Sequence, residues 1–354
     1  MDLSHNQLTS AAGPLLGAAL AANQGLRWLD LAFNRLDDAG LASLASGLAN
    51  NSGLHHLVVS DNGASAGGVG RLAQGLAANR CLRTLDLSGN SVDDGAVFNI
   101  GRALADNSCL KQLVLRSMGL TGHQMHGLVK GLGSSTCNLV QLNLSGNRLG
   151  VMGACSMGKL LERAQVLQQL DVSGNDLADE GTAVLAKALA TNPVVKQLRL
   201  CNNAIRTNGA EALGRLISRF NDSNLLELDL SSNSLKDAGV RVFCEHAGRI
   251  TRLQTLILSH NGIREGGGAA LAAMLRDSDS LQQLGLEANP LHAAGVLELA
   301  AALEDNRSLR QLNIKHIRES HEPVDELRAA IQALTVSNAT VDVLRAKRDF
   351  SDGC

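Results

Sequence analysis

Leucines along the chain change their spacing within short segments. One segment follows the frame Leu-x-x-Leu-x-Leu-x-x-Asn-x-Leu, which begins at Leu26 and has its asparagine at Asn34. Leu29 and Leu31 alternate, which is typical of a half-buried strand. Beyond the asparagine the leucines are three and four residues apart, which predicts a helix over Leu41–Asn50. Each such segment therefore predicts one strand and one helix, joined by a turn at the asparagine.

The same frame recurs along nearly the whole chain. Its period is 28 in most units, 29 between Met118 and Asn147, and 30 between Asn203 and Asn233. The twelve units are centred on Asn6, Asn34, Asn62, Asn90, Met118, Asn147, Asn175, Asn203, Asn233, Asn261, Asn289 and Ile317. An asparagine side chain can both donate to and accept from backbone groups in a turn. Met118 and Ile317 cannot, so we expect rearranged loops at those two units.

A period of this length with this consensus is typical of leucine-rich repeats. The chain resembles leucine-rich repeat proteins of the ribonuclease-inhibitor-like class, in which each unit is a strand and a full helix. Repeats of the Ran GTPase-activating protein, of NOD-like receptors and of axonemal subunits are also similar. The resemblance covers residues 1–335.

The predicted fold class is α/β, specifically a right-handed α/β solenoid, or horseshoe. Parallel strands lie about 4.8 Å apart, whereas packed helices need about 8–10 Å. We therefore expect the strands on the concave face and the helices on the convex face. The predicted domains are a solenoid over 1–335 and a C-terminal cap or tail over 336–354.

Composition and charge bear on which partners and which cellular setting the sequence predicts. The formal net charge is −2, so nothing indicates nucleic acid or an anionic membrane as a partner. The apolar stretch Ala11–Leu20 is too short to span a bilayer and keeps the helix spacing of a repeat. With no targeting segment recognised, the sequence predicts an intracellular, cytoplasmic protein, with a cytoskeletal or ciliary setting open.

No pattern of catalytic or metal-binding residues is found. Cys81, Cys109 and Cys137 occupy the same position in three successive units and so form a row, whereas a zinc site needs ligands that converge on one point. The glycine run Gly266–Gly268 lacks the P-loop spacing and falls where a repeat passes from loop to helix. We therefore expect no enzyme activity, no metal and no cofactor.

The sheet surface is the predicted binding surface, as in other solenoids. Its outward positions are mostly amides and other polar residues, except near the start of the chain. The candidate partner-binding residues combine the only tryptophan with nearby basic side chains, and they are Arg27, Trp28, His55, His56 and Arg83. Phe33 is predicted to lie beside them. Tryptophan and arginine are enriched among interface hot spots, although Trp28 could instead cover the first strand as a cap.

The function that follows is a non-catalytic scaffold that binds one or more proteins, including partners with an acidic surface. A subunit of a large cytoskeletal or axonemal assembly is one such role. Two alternatives remain open: a GTPase-activating protein of the Ran-specific type, and the repeat sensor region of a NOD-like receptor. The acidic C-terminal region of the first family and the nucleotide-binding module of the second are not found in this sequence.

Overall fold

Strands of three residues alternate with helices throughout the computed structural model, which describes residues 1–162, 164–218, 223–248, 250–317, 324–337 and 342–344. The described chain divides into two units, 1–175 and 176–354. Each unit is an α/β repeat solenoid, as the period predicts.

The first unit contains six strands that pair in chain order, each parallel to the next. These strands are Trp28–Asp30 (β1), His56–Val58 (β2), Thr84–Asp86 (β3), Gln112–Val114 (β4), Gln141–Asn143 (β5) and Gln169–Asp171 (β6). A short 3-10 turn and six helices accompany them: Ser10–Ala12, then Gly13–Ala22 (α1), Asp37–Ala49 (α2), Ala66–Ala78 (α3), Asp94–Asp106 (α4), Met125–Leu132 (α5) and Gly150–Leu161 (α6).

The second unit has the same parallel order among its described strands. Its strands are Gln197–Arg199 (β7), Glu227–Asp229 (β8), Thr255–Ile257 (β9), Gln283–Gly285 (β10), Gln311–Asn313 (β11) and Asp342–Leu344 (β12). Its helices are Ala178–Leu189 (α7), Thr207–Ile217 (α8), Lys236–Ala247 (α9), Glu265–Asp277 (α10), His292–Asp305 (α11) and Val324–Ser337 (α12).

The core is formed by the leucines of the repeat frame. The middle residue of β1 to β11 is buried, and the residues on either side of it are half-buried or exposed. Leu142 and Leu144, for example, are 2% and 0% exposed. We call the sheet face that carries the flanking residues the open face. The register continues across the longer repeat between Met118 and Asn147, where Gln112 of β4 pairs with Gln141 of β5.

The asparagines connect neighbouring repeats, as the sequence predicts. The Asn90 side-chain oxygen accepts from the backbone amides of Asn62 and Ala64, at 3.2 and 3.1 Å. Its side-chain nitrogen donates to the carbonyls of Val59 and Leu87, both at 2.9 Å. Each asparagine of this kind therefore replaces hydrogen bonds that the turn removes from the strand ladder.

The prediction of a rearranged loop at Met118 is wrong. Ser117 and Gly119 have φ angles of 53° and 71°, close to the 51° and 67° of Asp61 and Gly63 in an asparagine-containing repeat. The amides of Met118 and Leu120 still donate to the side-chain oxygen of Asn147, both at 3.0 Å. The next asparagine therefore holds the loop in its usual conformation. For Ile317, the residues that follow lie outside the described part of the chain.

Two features at the ends of repeats differ from the sequence expectation. Helix α2 begins at Asp37, before the predicted start at Leu41. Strand β12 pairs in parallel with β11 although its residues lack the repeat frame. The cap or tail over 336–354 stays a prediction, because residues 338–341 and 345–354 lie outside the described residues.

Candidate functional site

Three of the candidate residues lie directly before three neighbouring strands. Arg27, His55 and Arg83 precede β1, β2 and β3, and their backbones are joined by hydrogen bonds. The His55 amide donates to the Arg27 carbonyl at 2.8 Å, and the Arg83 amide donates to the His55 carbonyl at 2.8 Å. The strand ladder therefore places these three side chains in one row at the amino ends of the strands.

The other two candidates lie one position further along, on the open face. Trp28 and His56 are paired across β1 and β2. The Trp28 side chain is 40% exposed, and His56 is also exposed. The Nδ1 atom of His56 lies 3.0 Å from the Thr84 hydroxyl on the next strand. The structure thus brings all five candidates together, and we call this surface the tryptophan patch (Arg27, Trp28, His55, His56 and Arg83).

Phe33, predicted to lie beside the patch, does not belong to it. It follows the carboxyl end of β1, whereas Arg27 precedes the amino end. Its ring stacks on His5, with centroids 4.4 Å apart and an interplanar angle of 11°. The prediction missed this because residues close in sequence can lie at opposite ends of a strand.

The arginines carry most of the positive charge of the patch. The Arg27 guanidinium donates to the Gly53 carbonyl at 2.6 Å, which fixes its position, and the Arg83 side chain is exposed. Partial desolvation lowers the pKa of His55, and the neighbouring charges of Arg83, Arg27 and His56 lower it further. His55 is therefore mostly neutral near pH 7.

The cysteine row has a structural explanation. The Cys81 thiol donates to the Leu54 carbonyl at 3.2 Å, and the Cys109 thiol donates to the Arg80 carbonyl at 2.9 Å. Burial raises the pKa of the Cys137 thiol. Among the residues that the structure describes, no group of three or more histidine, cysteine and acidic side chains is placed to hold a metal ion. None of the described helices is long and apolar enough to cross a bilayer.

Sequence reasoning missed a second group of basic side chains, in the second unit. Lys196, Arg252, Arg307 and Arg310 line a groove at the amino ends of the strands. Lys196 and Arg310 occupy the same repeat position as Arg27 and could have been found by following that position along the sequence. Arg252 and Arg307 occupy other repeat positions, so only the folded chain shows that they are neighbours.

Comparison with known proteins agrees with the repeat architecture. Five segments match the family described as Leucine Rich repeat, at residues 22–45, 78–101, 163–186, 221–244 and 251–272. The chain therefore carries leucine-rich repeats in a parallel-strand α/β solenoid, as predicted.

Comparisons with individual proteins add little to the evidence from the repeat family. A comparison with curated proteins finds no match. One matching solved structure is Leiomodin-1 Actin-Binding Site 2, with 18% identity and a TM-score of 0.36 over 42% of this chain and 87% of that one. Its TM-score is too low to support conclusions about function.

Proposed function

We propose that this protein is a non-catalytic protein-interaction scaffold, and that a protein partner with an acidic surface docks on the tryptophan patch. The observation that carries the proposal is Trp28, which is 40% exposed on the open face of the sheet, beside the row that contains Arg27 and Arg83. Leucine-rich repeats are protein-binding modules, and their sheets supply broad binding surfaces.

The side chains of the patch match the usual composition of an interface centre. Truncating a tryptophan at such a centre commonly costs about 2 kcal/mol or more of binding energy. The strand ladder holds Trp28 and His56 in register before a partner arrives, so less conformational entropy is lost on binding. Arg27 and Arg83 favour an acidic partner, mainly by increasing the association rate.

The setting that we propose is the cytoplasm, within a cytoskeletal or axonemal assembly. The support is the resemblance of the repeat sequence to subunits of such assemblies. We also assign the repeats to the ribonuclease-inhibitor-like class, because the period is nearly uniform and full helices, such as Asp37–Ala49, alternate with the strands.

Affinity capture from the native source tests the proposal, with wild-type protein compared with Trp28→Ala by quantitative mass spectrometry. Phe98→Ala is the matched control, because Phe98 is also an exposed aromatic residue, 52% accessible, but lies on helix α4. We expect the affinity for the partner to fall about thirtyfold with Trp28→Ala, so that the partner is largely lost from the captured proteins. Phe98→Ala should capture the partner as wild type does. An unchanged set of captured proteins, together with a lower melting temperature for Trp28→Ala, would make Trp28 a structural cap and reject the proposal.

A further inference from the structure

A groove with a cavity volume of about 670 Å³ lies in the second unit and shares no residue with the tryptophan patch. Four basic side chains line it: Lys196, Arg252, Arg307 and Arg310. Asp279 is the carboxylate among the described lining residues, and the remaining side chains are mainly amides and hydroxyls. We call this surface the basic groove.

The strand ladder sets the length of the groove. Lys196 precedes β7 and Arg310 precedes β11, with Leu226, Gln254 and Gln282 at the same position in the repeats between them. Successive backbone amides along this row donate to the carbonyl of the preceding repeat, each at 2.8 Å. Four strand intervals of about 4.8 Å give the row a length of about 19 Å.

Three of the four cations in the groove have no ion-pair partner in the part of the chain that the structure describes. Among the described residues, the side chains of Lys196, Arg307 and Arg310 make no hydrogen bond or ion pair, and all three are exposed. Arg252 is held in place, because its guanidinium donates to the Ser223 carbonyl and the Asn224 side-chain oxygen, both at 3.0 Å. The groove therefore combines one fixed guanidinium with three cations that are available to a ligand.

We infer that the basic groove binds an extended acidic segment of a partner protein. An extended chain in the polyproline II conformation rises about 3.1 Å per residue, so about six residues would span the row. Arginine pairs with carboxylates through two parallel hydrogen bonds, which favours aspartate and glutamate as the ligands of Arg252 and Arg310. These arginines lie two repeats apart, about 10 Å along the sheet. That spacing matches carboxylates three residues apart in a polyproline II segment, where three residues per turn place them on the same face.

The lining side chains favour a peptide over a nucleic acid. Gln254 and Gln282 are exposed between the basic residues, where their amides can bond to a peptide backbone. Single-stranded nucleic acids usually bind where bases can stack on aromatic rings. The described lining residues include no aromatic side chain on which a base could stack.

Fluorescence anisotropy with the full chain tests the inference. The probe is a labelled peptide, Glu-Ser-Ser-Glu-Ser-Ser-Glu, and the same peptide with glutamine in place of glutamate is the neutral comparison. Lys196→Glu combined with Arg310→Glu reverses two charges without removing a hydrogen bond among the described residues. Lys187→Glu, an exposed charge reversal on helix α7, is the matched control.

We expect wild-type protein to bind the acidic peptide, more weakly at higher salt, and the double variant to lose at least about tenfold in affinity. Lys187→Glu and Trp28→Ala should bind as wild type does. If Trp28→Ala did not change partner capture, the proposed function would be rejected, whereas peptide binding that depends on Lys196 and Arg310 would still support the basic groove. If the double variant melts at a lower temperature, Lys196→Gln with Arg310→Gln replaces it, with the same expected direction.

Three outcomes would overturn the inference. The first is equal binding of the acidic peptide by wild type and charge-reversed protein. The second is equal binding of the acidic and neutral peptides. The third is that an oligothymidylate of the same net charge binds more tightly than the acidic peptide and that this binding is lost on reversing Lys196 and Arg310. The groove would then be a nucleic-acid site.

Discussion

Asp38 holds Ser65 of the following repeat: its carboxylate accepts from the Ser65 backbone amide at 2.7 Å and from the Ser65 hydroxyl at 2.5 Å. The same carboxylate accepts from the Gly68 amide, in the first turn of α3, at 2.9 Å. An aspartate in one repeat therefore holds the N-cap residue of the next helix and accepts from an amide of its first turn. In the same way, the Asp179 carboxylate accepts from the Arg206 backbone amide at 2.6 Å, and the Asp237 carboxylate accepts from the Arg264 backbone amide at 2.7 Å.

Replacing Asp38 with Ala should lower the free energy of unfolding by about 1 kcal/mol at neutral pH, because the Ser65 and Gly68 amides at the start of α3 lose their acceptor. Hydrogen bonds from the Ser65 side chain, and from the Ser65 and Gly68 amides, lower the pKa of Asp38. Its contribution is therefore complete above the unfolded-state pKa of about 3.9 and is lost as the pH falls through the lower folded-state pKa. Urea denaturation at several pH values measures this difference.

The control for this change is Asp106→Ala, at the end of α4. Asp106 is exposed, and we expect its removal to change stability by less than about 0.5 kcal/mol. If Asp38→Ala and Asp106→Ala behaved alike, or if the Asp38 effect persisted unchanged at acid pH, the capping role would be refuted.

Asn90 should contribute more than an exposed asparagine. Its side chain is 2% exposed, and its removal leaves the buried amides of Asn62 and Ala64 without their acceptor. We expect Asn90→Ala to destabilise the protein by about 3 kcal/mol, since each buried group left unsatisfied costs about 1–3 kcal/mol. Asn50→Ala is the matched control, because among the described residues the exposed Asn50 side chain bonds only to the Ser46 carbonyl in the preceding helix. Equal losses for the two variants in chemical denaturation would contradict the prediction.

The pKa of His55 should rise when Arg83 is replaced with Gln, because a positive charge that disfavours protonation is removed. NMR titration of the imidazole signals measures the shift. The lowered folded-state pKa means that this group costs stability as the pH falls below about 6.5 toward that value. Arg35→Gln is the control, since Arg35 does not act on His55. A His55 midpoint that is the same in both variants would rule out the electrostatic explanation.

Much of the fold could be predicted because one physical pattern repeats. Leu142 and Leu144 are buried as their frame requires, and Asn90 bonds to neighbouring repeats as its amide allows. The role of Asp38 could not be predicted from one repeat, because its partners are in the next repeat. Met118 shows the same limit, since Asn147 compensates for the missing amide.

The candidate surfaces were predictable to different degrees. The tryptophan patch follows from register, because its residues occupy two adjoining repeat positions. The basic groove combines several repeat positions, and Arg252 and Arg307 approach Arg310 only when the loops fold. Strand β12 lacks the leucine frame and pairs by backbone hydrogen bonding, which any sequence of suitable conformation can provide.

The asparagines that connect neighbouring repeats also determine which lengths of chain can be removed without disturbing the fold. The Asn62 side-chain nitrogen donates to the Leu31 carbonyl, and the Asn90 side-chain nitrogen donates to the Val59 carbonyl. Each of these bonds reaches back about one period along the chain. Excising a whole period, such as residues 62–89, would join Asp61 to Asn90 and present the same donor and acceptor groups to the repeats on either side. Removing half a period would leave each amide opposite the wrong carbonyl. Gene duplication and deletion in whole periods can therefore lengthen or shorten this protein without a new fold.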